Sequence, residues 1–114
     1  MNPKREYKDY LTDIMEAMDR IEKFTEGLTF EDFKNDDKTI SAVIRKIEII
    51  GEAVKNIPPS LKNKNKQIPW KKMAGMRDKL IHEYFGVNIK VIWRTIKEDL
   101  PKVKPGFKRV LKKI

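Results

Sequence analysis

Apolar residues recur at spacings of three and four along most of this 114-residue chain, which is the pattern of amphipathic helices. The first such run, residues 7–24, predicts a long amphipathic helix, and Gly27 is expected to stop it. Residues 29–33 predict one further turn, whose two phenylalanines would close the end of the core. No segment shows the alternation of apolar and polar residues that predicts a half-buried strand.

A second amphipathic run predicts a helix that begins near Asp36 or Asp37, either of which is a good N-cap. Proline cannot continue a helix, so this one is expected to end at residues 57–59. A second apolar strip on the same helix contains Ala42, Ile49 and Ala53. A helix that is apolar on two faces is either central in its bundle or buried against another subunit, and both readings stay open.

The remainder of the chain predicts a basic connector and two or three more helices. Residues 60–67 are rich in lysine and asparagine and are predicted to be mobile. Residues 68–70 open a third helix that Gly86 would end, and Asn88 caps a fourth. Pro101 and Pro105 are expected to break the chain before a short basic helix. The predicted fold class is therefore all-α, an antiparallel four- to five-helix bundle forming one domain over residues 1–114.

Composition narrows the classes of function that this bundle can have. The chain has no cysteine, which excludes disulfides and thiolate chemistry. Neither a signal peptide nor an apolar run of about 20 residues is present, so we expect no membrane span and a cytoplasmic location. Residues 1–59 hold 10 Lys and Arg against 13 Asp and Glu, whereas residues 60–114 hold 16 against 4. A basic half of this kind favours a polyanionic partner over a merely solvated surface.

The segment 76–85 contains the single histidine, His82, with Arg77 before it and Tyr84 after it. One histidine without cysteine cannot supply a usual zinc ligand set. The remaining option is metal-free acid–base chemistry, in which the imidazole moves a proton and the guanidinium stabilises charge on a phosphate. Such a pair could cleave RNA by internal transesterification, and Lys71, Lys72 and Lys79 are the candidate RNA-binding cations.

Helical geometry divides this segment into two pairs. Asp78 and His82, four residues apart, share a face, so the carboxylate could orient the imidazole. Arg77 and Tyr84 share another face, whereas Arg77 and His82 lie about 140° apart on a regular helix. They would meet at one phosphate if the arginine reached around, the helix were distorted or a second subunit completed the site. The alternative is a histidine that pairs with Asp78 only for packing or solubility.

The motif Arg77-x4-His82-x-Tyr84 resembles the Arg-x4-His-x-Tyr motif of HEPN-domain proteins, most closely that of the HepT-like toxins. The resemblance spans residues 5–103 and includes blocks at residues 49–53, 69–70, 75–78, 81–85, 91–93 and 99–101. It implies a homodimeric helical bundle and cofactor-free, metal-independent endoribonuclease activity, with Arg77 and His82 as the catalytic pair. Asp78 occupies a position where relatives often have asparagine, and an orienting role survives that change.

The resemblance also implies a regulatory partner. Toxins of this family are typically neutralised by a minimal nucleotidyltransferase that adds adenylyl groups to the motif tyrosine, which is Tyr84 here. Two alternatives stay open at this point. The chain could be a non-catalytic module that binds RNA or a nucleotide, or a subunit that presents Tyr84 or a surface to a nucleotidyltransferase.

Overall fold

A computed structural model describes residues 6–76, 78 and 88–113, and the elements in these ranges are helical. In chain order they are α1 (Tyr7–Thr25), α2 (Phe30–Lys34), α3 (Asp37–Lys55), α4 (Pro59–Lys64), α5 (Trp70–Ala74), α6 (Ile89–Arg94), a π-helical turn (Thr95–Asp99) and α7 (Leu100–Lys112). The predicted all-α helical bundle is confirmed. Among these helices, none is long and apolar enough to cross a membrane.

The core is built on the packing of α1 against α3. Both helices place apolar residues at spacings of three and four, so one side of each can leave water completely. The fully buried residues of the pair include Leu11, Ile14, Met18, Ile21, Val43, Ile47, Ile50 and Val54. Each such side chain contributes about 1.5–3 kcal/mol of hydrophobic free energy, which makes this pair the base on which the other helices pack.

Local sequence signals set the turn between α1 and α3. Gly27 has φ of 75°, a left-handed conformation that glycine adopts without steric cost. Thr29 and Asp32 form a capping box, in which each side chain accepts a hydrogen bond from the other residue's backbone N–H. Asp36 caps α3, and hydrogen bonds from the Thr39 hydroxyl and backbone N–H lower the pKa of the Asp36 carboxyl. The predicted helix boundaries are confirmed here.

The basic connector predicted at residues 60–67 contains the short helix α4. Proline is favourable in the first turn, and this helix begins at Pro59. Asn65 directly follows α4, is 9% exposed, and its carbonyl accepts a 2.9 Å hydrogen bond from Trp70 Nε1. The mobility of the connector stays a prediction, but its last residues are fastened to the start of α5.

The prediction that Pro101 and Pro105 break the chain is wrong, because α6, the π turn and α7 follow one another without interruption over residues 89–112. The N–H of Leu100 bonds to the carbonyl of Thr95, five residues back, and Pro101 follows this wider turn. Pro105 lies inside α7. An interior proline costs about 3 kcal/mol. Burial of Leu100, Phe107 and Val110 offsets this cost, which local sequence rules cannot anticipate.

The third predicted helix is interrupted at Gly75, which forms a turn after α5. Glycine is a poor interior helix residue and a good terminal one, so a break at this position is physically reasonable. Met76 and Asp78 are helical. The rest of the predicted helix, residue 77 and residues 79–86, lies outside the described residues.

Candidate functional site

Helix α5 and the residues after it carry the described part of the predicted site. Lys71, Lys72 and Asp78 are all exposed, as expected for side chains that would meet a ligand. Arg77, Lys79, His82 and Tyr84 lie outside the described residues, so their roles stay predictions. The part of the site that the structure describes is therefore the surface that adjoins the motif.

The orientation of α5 follows from its two buried residues. Trp70 and Met73, three apart, are 8% and 2% exposed and face the core, which leaves Lys71 and Lys72 on the outside. The Trp70 ring packs edge-on against Phe107 of α7 with a centroid distance of 5.3 Å. Because the indole is held by this ring and by the Asn65 carbonyl, both lysines extend from a fixed support.

A cavity of about 350 Å³ lies between α5, the π turn and α7. Its lining residues are Pro69, Lys71, Lys72, Met73, Gly75, Met76, Thr95, Asp99, Leu100, Lys102 and Val103. We call this the lysine-rimmed cavity, because its three lysines are exposed whereas Met73 and Leu100 are buried. Met76, one of the lining residues, directly precedes Arg77 in the sequence.

Two polar side chains line this cavity from the π turn. The hydroxyl of Thr95 donates a 2.8 Å hydrogen bond to the carbonyl of Val91. Asp99 is half-buried, and its side chain forms no hydrogen bond or ion pair with any other described residue. Such a carboxylate is available to accept hydrogen bonds from a ligand.

Sequence reasoning missed Asp99 and Lys102 as site residues. A chain break expected at Pro101 would separate Lys102 from Asp99, whereas in the continuous run over residues 89–112 both residues line the same cavity. Their spacing on one helical face was the available signal, but it has meaning only if the helix passes through the proline. Among the described residues, no group of three or more His, Cys, Asp or Glu side chains could hold a metal ion.

The second apolar strip of α3 is covered in part by the chain itself. Ala53 is 4% exposed, whereas Ala42 and Ile49 are half-buried. Ile49 and Ala53 line a groove of about 410 Å³ whose other wall includes Tyr10 and Ala17 of α1. The strip is thus buried within the bundle at Ala53 and remains half-buried at Ile49.

Comparison with known proteins places the chain in a family. The sequence model of the family described as "Ribonuclease HepT-like" matches residues 14–112, which is most of the chain. The chain belongs to the HepT-like ribonuclease family. The described helices α3 to α6 and the segment with the motif Arg77-x4-His82-x-Tyr84 all fall inside the matched range of this HepT-like chain.

Individual HepT-like relatives are similar over nearly their whole length. A protein of Thermococcus cleftensis named "Probable ribonuclease HepT" is 57% identical over 109 residues, which cover 96% of this chain and 99% of the relative. A protein of Methanocaldococcus jannaschii named "Putative RNase MJ1216" is 47% identical over 112 residues, covering 98% of this chain and 93% of the relative. No solved structure matches the chain.

Proposed function

We propose that this HepT-like chain is a metal-independent endoribonuclease that acts as the toxin of a type VII-like toxin–antitoxin pair. The observation that carries the proposal is the family match over residues 14–112, which includes the motif Arg77-x4-His82-x-Tyr84. The names of the relatives, both given as ribonucleases, support RNA as the substrate. The exposed lysines beside the motif supply the positive charge that RNA phosphates require.

The chemistry assigned to the motif is internal transesterification. His82 takes the proton of a ribose 2′-hydroxyl, the 2′-oxygen attacks the adjacent phosphorus, and the bond from phosphorus to the 5′-oxygen breaks. The products are a 2′,3′-cyclic phosphate and a 5′-hydroxyl, whose oxygen receives the proton that His82 took up. Arg77 stabilises the negative charge that accumulates on the phosphorane, and Asp78 orients the imidazole of His82.

Assembly and regulation form the second part of the proposal. Two copies of the chain associate through the half-buried Ile49 side of α3, so that two motif segments line one basic cleft. A minimal nucleotidyltransferase transfers adenylyl groups from ATP to Tyr84 with release of pyrophosphate. The modification places negative charge and bulk beside the catalytic pair and stops RNA binding. The cell therefore controls the toxin by covalent modification of the motif itself.

An RNA cleavage assay tests the catalytic part of the proposal. Purified protein is incubated with transfer RNA and messenger RNA in EDTA, beside His82→Ala, Arg77→Ala and the control Arg20→Ala. Arg20 is an exposed arginine on α1, so its replacement removes the same charge away from the motif. We expect cleavage by the wild type and the control, with cyclic-phosphate ends, and loss of cleavage in both motif variants. Cleavage that requires added metal, or survives both motif substitutions, contradicts the mechanism.

A second candidate function is a non-catalytic module that binds RNA. The lysine-rimmed cavity favours this RNA-binding function, because a cavity with a basic rim can bind a nucleotide whether or not the motif catalyses RNA cleavage. This module would bind RNA with a steep salt dependence, leave it intact and cause no growth arrest on expression. Intact RNA recovered from a salt-sensitive complex with wild-type protein would support this candidate over the ribonuclease.

A further inference from the structure

We infer that the lysine-rimmed cavity binds one unpaired nucleobase of the RNA, chosen for its exocyclic amino group, while the lysines hold the flanking phosphates. The inference rests on the proposed ribonuclease function and adds a substrate preference to it. RNA in which the bases are already unpaired would then be the preferred substrate.

The size and walls of the cavity suit a single aromatic base. Its volume of about 350 Å³ is near the lower end of the roughly 300–1,000 Å³ typical of ligand sites. Buried Met73 and Leu100 with half-buried Met76 and Val103 supply apolar contact surface. Unpaired bases are recognised by such contacts together with hydrogen bonds to their edges, whereas bases within an A-form duplex cannot enter a cavity.

Charge complementarity identifies the rest of the ligand as a nucleic acid backbone. Lys71 and Lys72 come from α5 and Lys102 comes from α7, so exposed cations from two different helices line the cavity. A base inserted between them leaves its two neighbouring phosphates outside, at the level of the lysines. An apolar peptide would make apolar contacts with the cavity walls but would leave the charges of these three lysines unneutralised.

Asp99 supplies the base preference. Its half-buried carboxylate lines the cavity and lacks a hydrogen-bond partner among the described residues. A carboxylate accepts hydrogen bonds from the amino group of cytosine, adenine or guanine. Uracil offers a single N–H between two carbonyl oxygens, which would face the carboxylate with like partial charge. The Thr95 hydroxyl uses its proton on the Val91 carbonyl, so towards the base it can only accept.

A binding assay tests this inference separately from cleavage. His82→Ala protein is titrated with fluorescent RNA 11-mers that consist of uracil, or of uracil with one central cytosine or adenine. We expect the single amino-bearing base to tighten binding by about fivefold or more. Asp99→Asn should abolish this preference, because the carboxamide can also donate to uracil oxygens, whereas Glu98→Gln should keep it. Glu98 is the matched control, since its carboxylate faces Arg94 at 3.9 Å outside the cavity.

A second variant tests the cavity itself. Val103→Phe fills the space without changing charge, and we expect weaker binding of the 11-mers with an unchanged salt dependence. Circular dichroism and thermal unfolding test whether the Val103→Phe protein folds. If this variant is unfolded, the Asp99→Asn variant still tests the inference. The inference is overturned if His82→Ala protein, without a further substitution, binds the all-uracil and the amino-bearing 11-mers equally. It is also overturned if a folded Val103→Phe protein binds RNA with full affinity. A base preference found with a wild type that cleaves no RNA rejects the ribonuclease proposal and leaves the cavity assignment standing.

Discussion

Replacing Lys104 with methionine tests how the basic half of the chain is joined to the acidic α1. The Lys104 ammonium lies 2.6 Å from Asp19 Oδ1 and 2.8 Å from Glu22 Oε1, and the lysine side chain is only 16% exposed. Methionine has a similar length and keeps the packing, so the substitution removes mainly the charge and its hydrogen bonds. Lys108, one turn further along α7 and exposed, gives the matched control Lys108→Met.

The magnitude follows from the exposure of the two carboxylates. Asp19 and Glu22 are 60% and 54% exposed, so both stay hydrated when the lysine is lost. Charge-assisted hydrogen bonds contribute about 1.5–3 kcal/mol when well shielded, and exposed ion pairs about 0–1 kcal/mol. We expect Lys104→Met to lower the free energy of unfolding at pH 7 by about 1–2 kcal/mol, measured by urea denaturation. Lys108→Met should change it by less than about 0.5 kcal/mol.

The pH dependence supplies a second check on Lys104. Burial lowers the pKa of the ammonium, but hydrogen bonds and attraction from Asp19 and Glu22 outweigh it, so the pKa is raised above 10.5. A raised lysine pKa stabilises the fold fully below the unfolded value and loses that contribution as the pH rises through the folded value. The difference between wild type and Lys104→Met should therefore be constant from pH 7 to about 9.5 and shrink above about 10.5. A difference absent at pH 7, or constant to pH 12, would refute this reasoning.

Three further predictions concern the support of the site, its charge and the assembly. Trp70→Phe removes a 2.9 Å hydrogen bond from a buried indole to a backbone carbonyl, so urea denaturation should show a loss of about 1–3 kcal/mol. Replacing Lys71 and Lys72 with alanine should reduce the slope of log affinity against log salt for single-stranded RNA by about 1.4, at about 0.7 per contact. Replacing the two lysines of α1 instead should leave that slope unchanged. Ile49→Glu should weaken self-association in sedimentation experiments, whereas Ser41→Glu, exposed on the same helix, should not; equal sedimentation of both variants would count against this interface.

The sequence predicted helix ends well wherever a glycine or a capping side chain at the end itself fixes the boundary. The end of α1 near Gly27 and the start of α3 at Asp36 were both predicted from the sequence, because each depends on a glycine or a capping side chain beside it. A further turn at residues 29–33 was also predicted, and the structure shows that Thr29 caps it. Asn88 caps α6 for the same reason, through a hydrogen bond from Val91 N–H to its side chain. The all-α class followed from apolar spacing alone, and the family match agrees with the motif.

The sites that sequence reasoning missed depend on contacts distant along the chain. Asp99 lines the lysine-rimmed cavity from the π turn, and Lys102 lines it because α7 continues past Pro101. Local rules treat a proline as a stop, since they count its lost hydrogen bond and steric cost and omit the burial gained elsewhere. For Arg77, His82 and Tyr84 the sequence provides residue types and spacing. Helical periodicity predicts which of them share a face, but it does not identify the residues that each face contacts.

The sequence by itself determined the helical class, the helix caps, the separation of acidic and basic halves and the motif, because these depend on neighbouring residues and on periodicity. Only the tertiary structure decided that residues 89–112 form one continuous helical run and that Lys104 is shielded between Asp19 and Glu22. It also decided that Asp99, whose carboxylate has no hydrogen-bond partner among the described residues, lines a cavity rimmed by lysines. The physical reason is that burial adds free energy from many distant contacts, and their sum can outweigh the local cost of a proline or a desolvated charge.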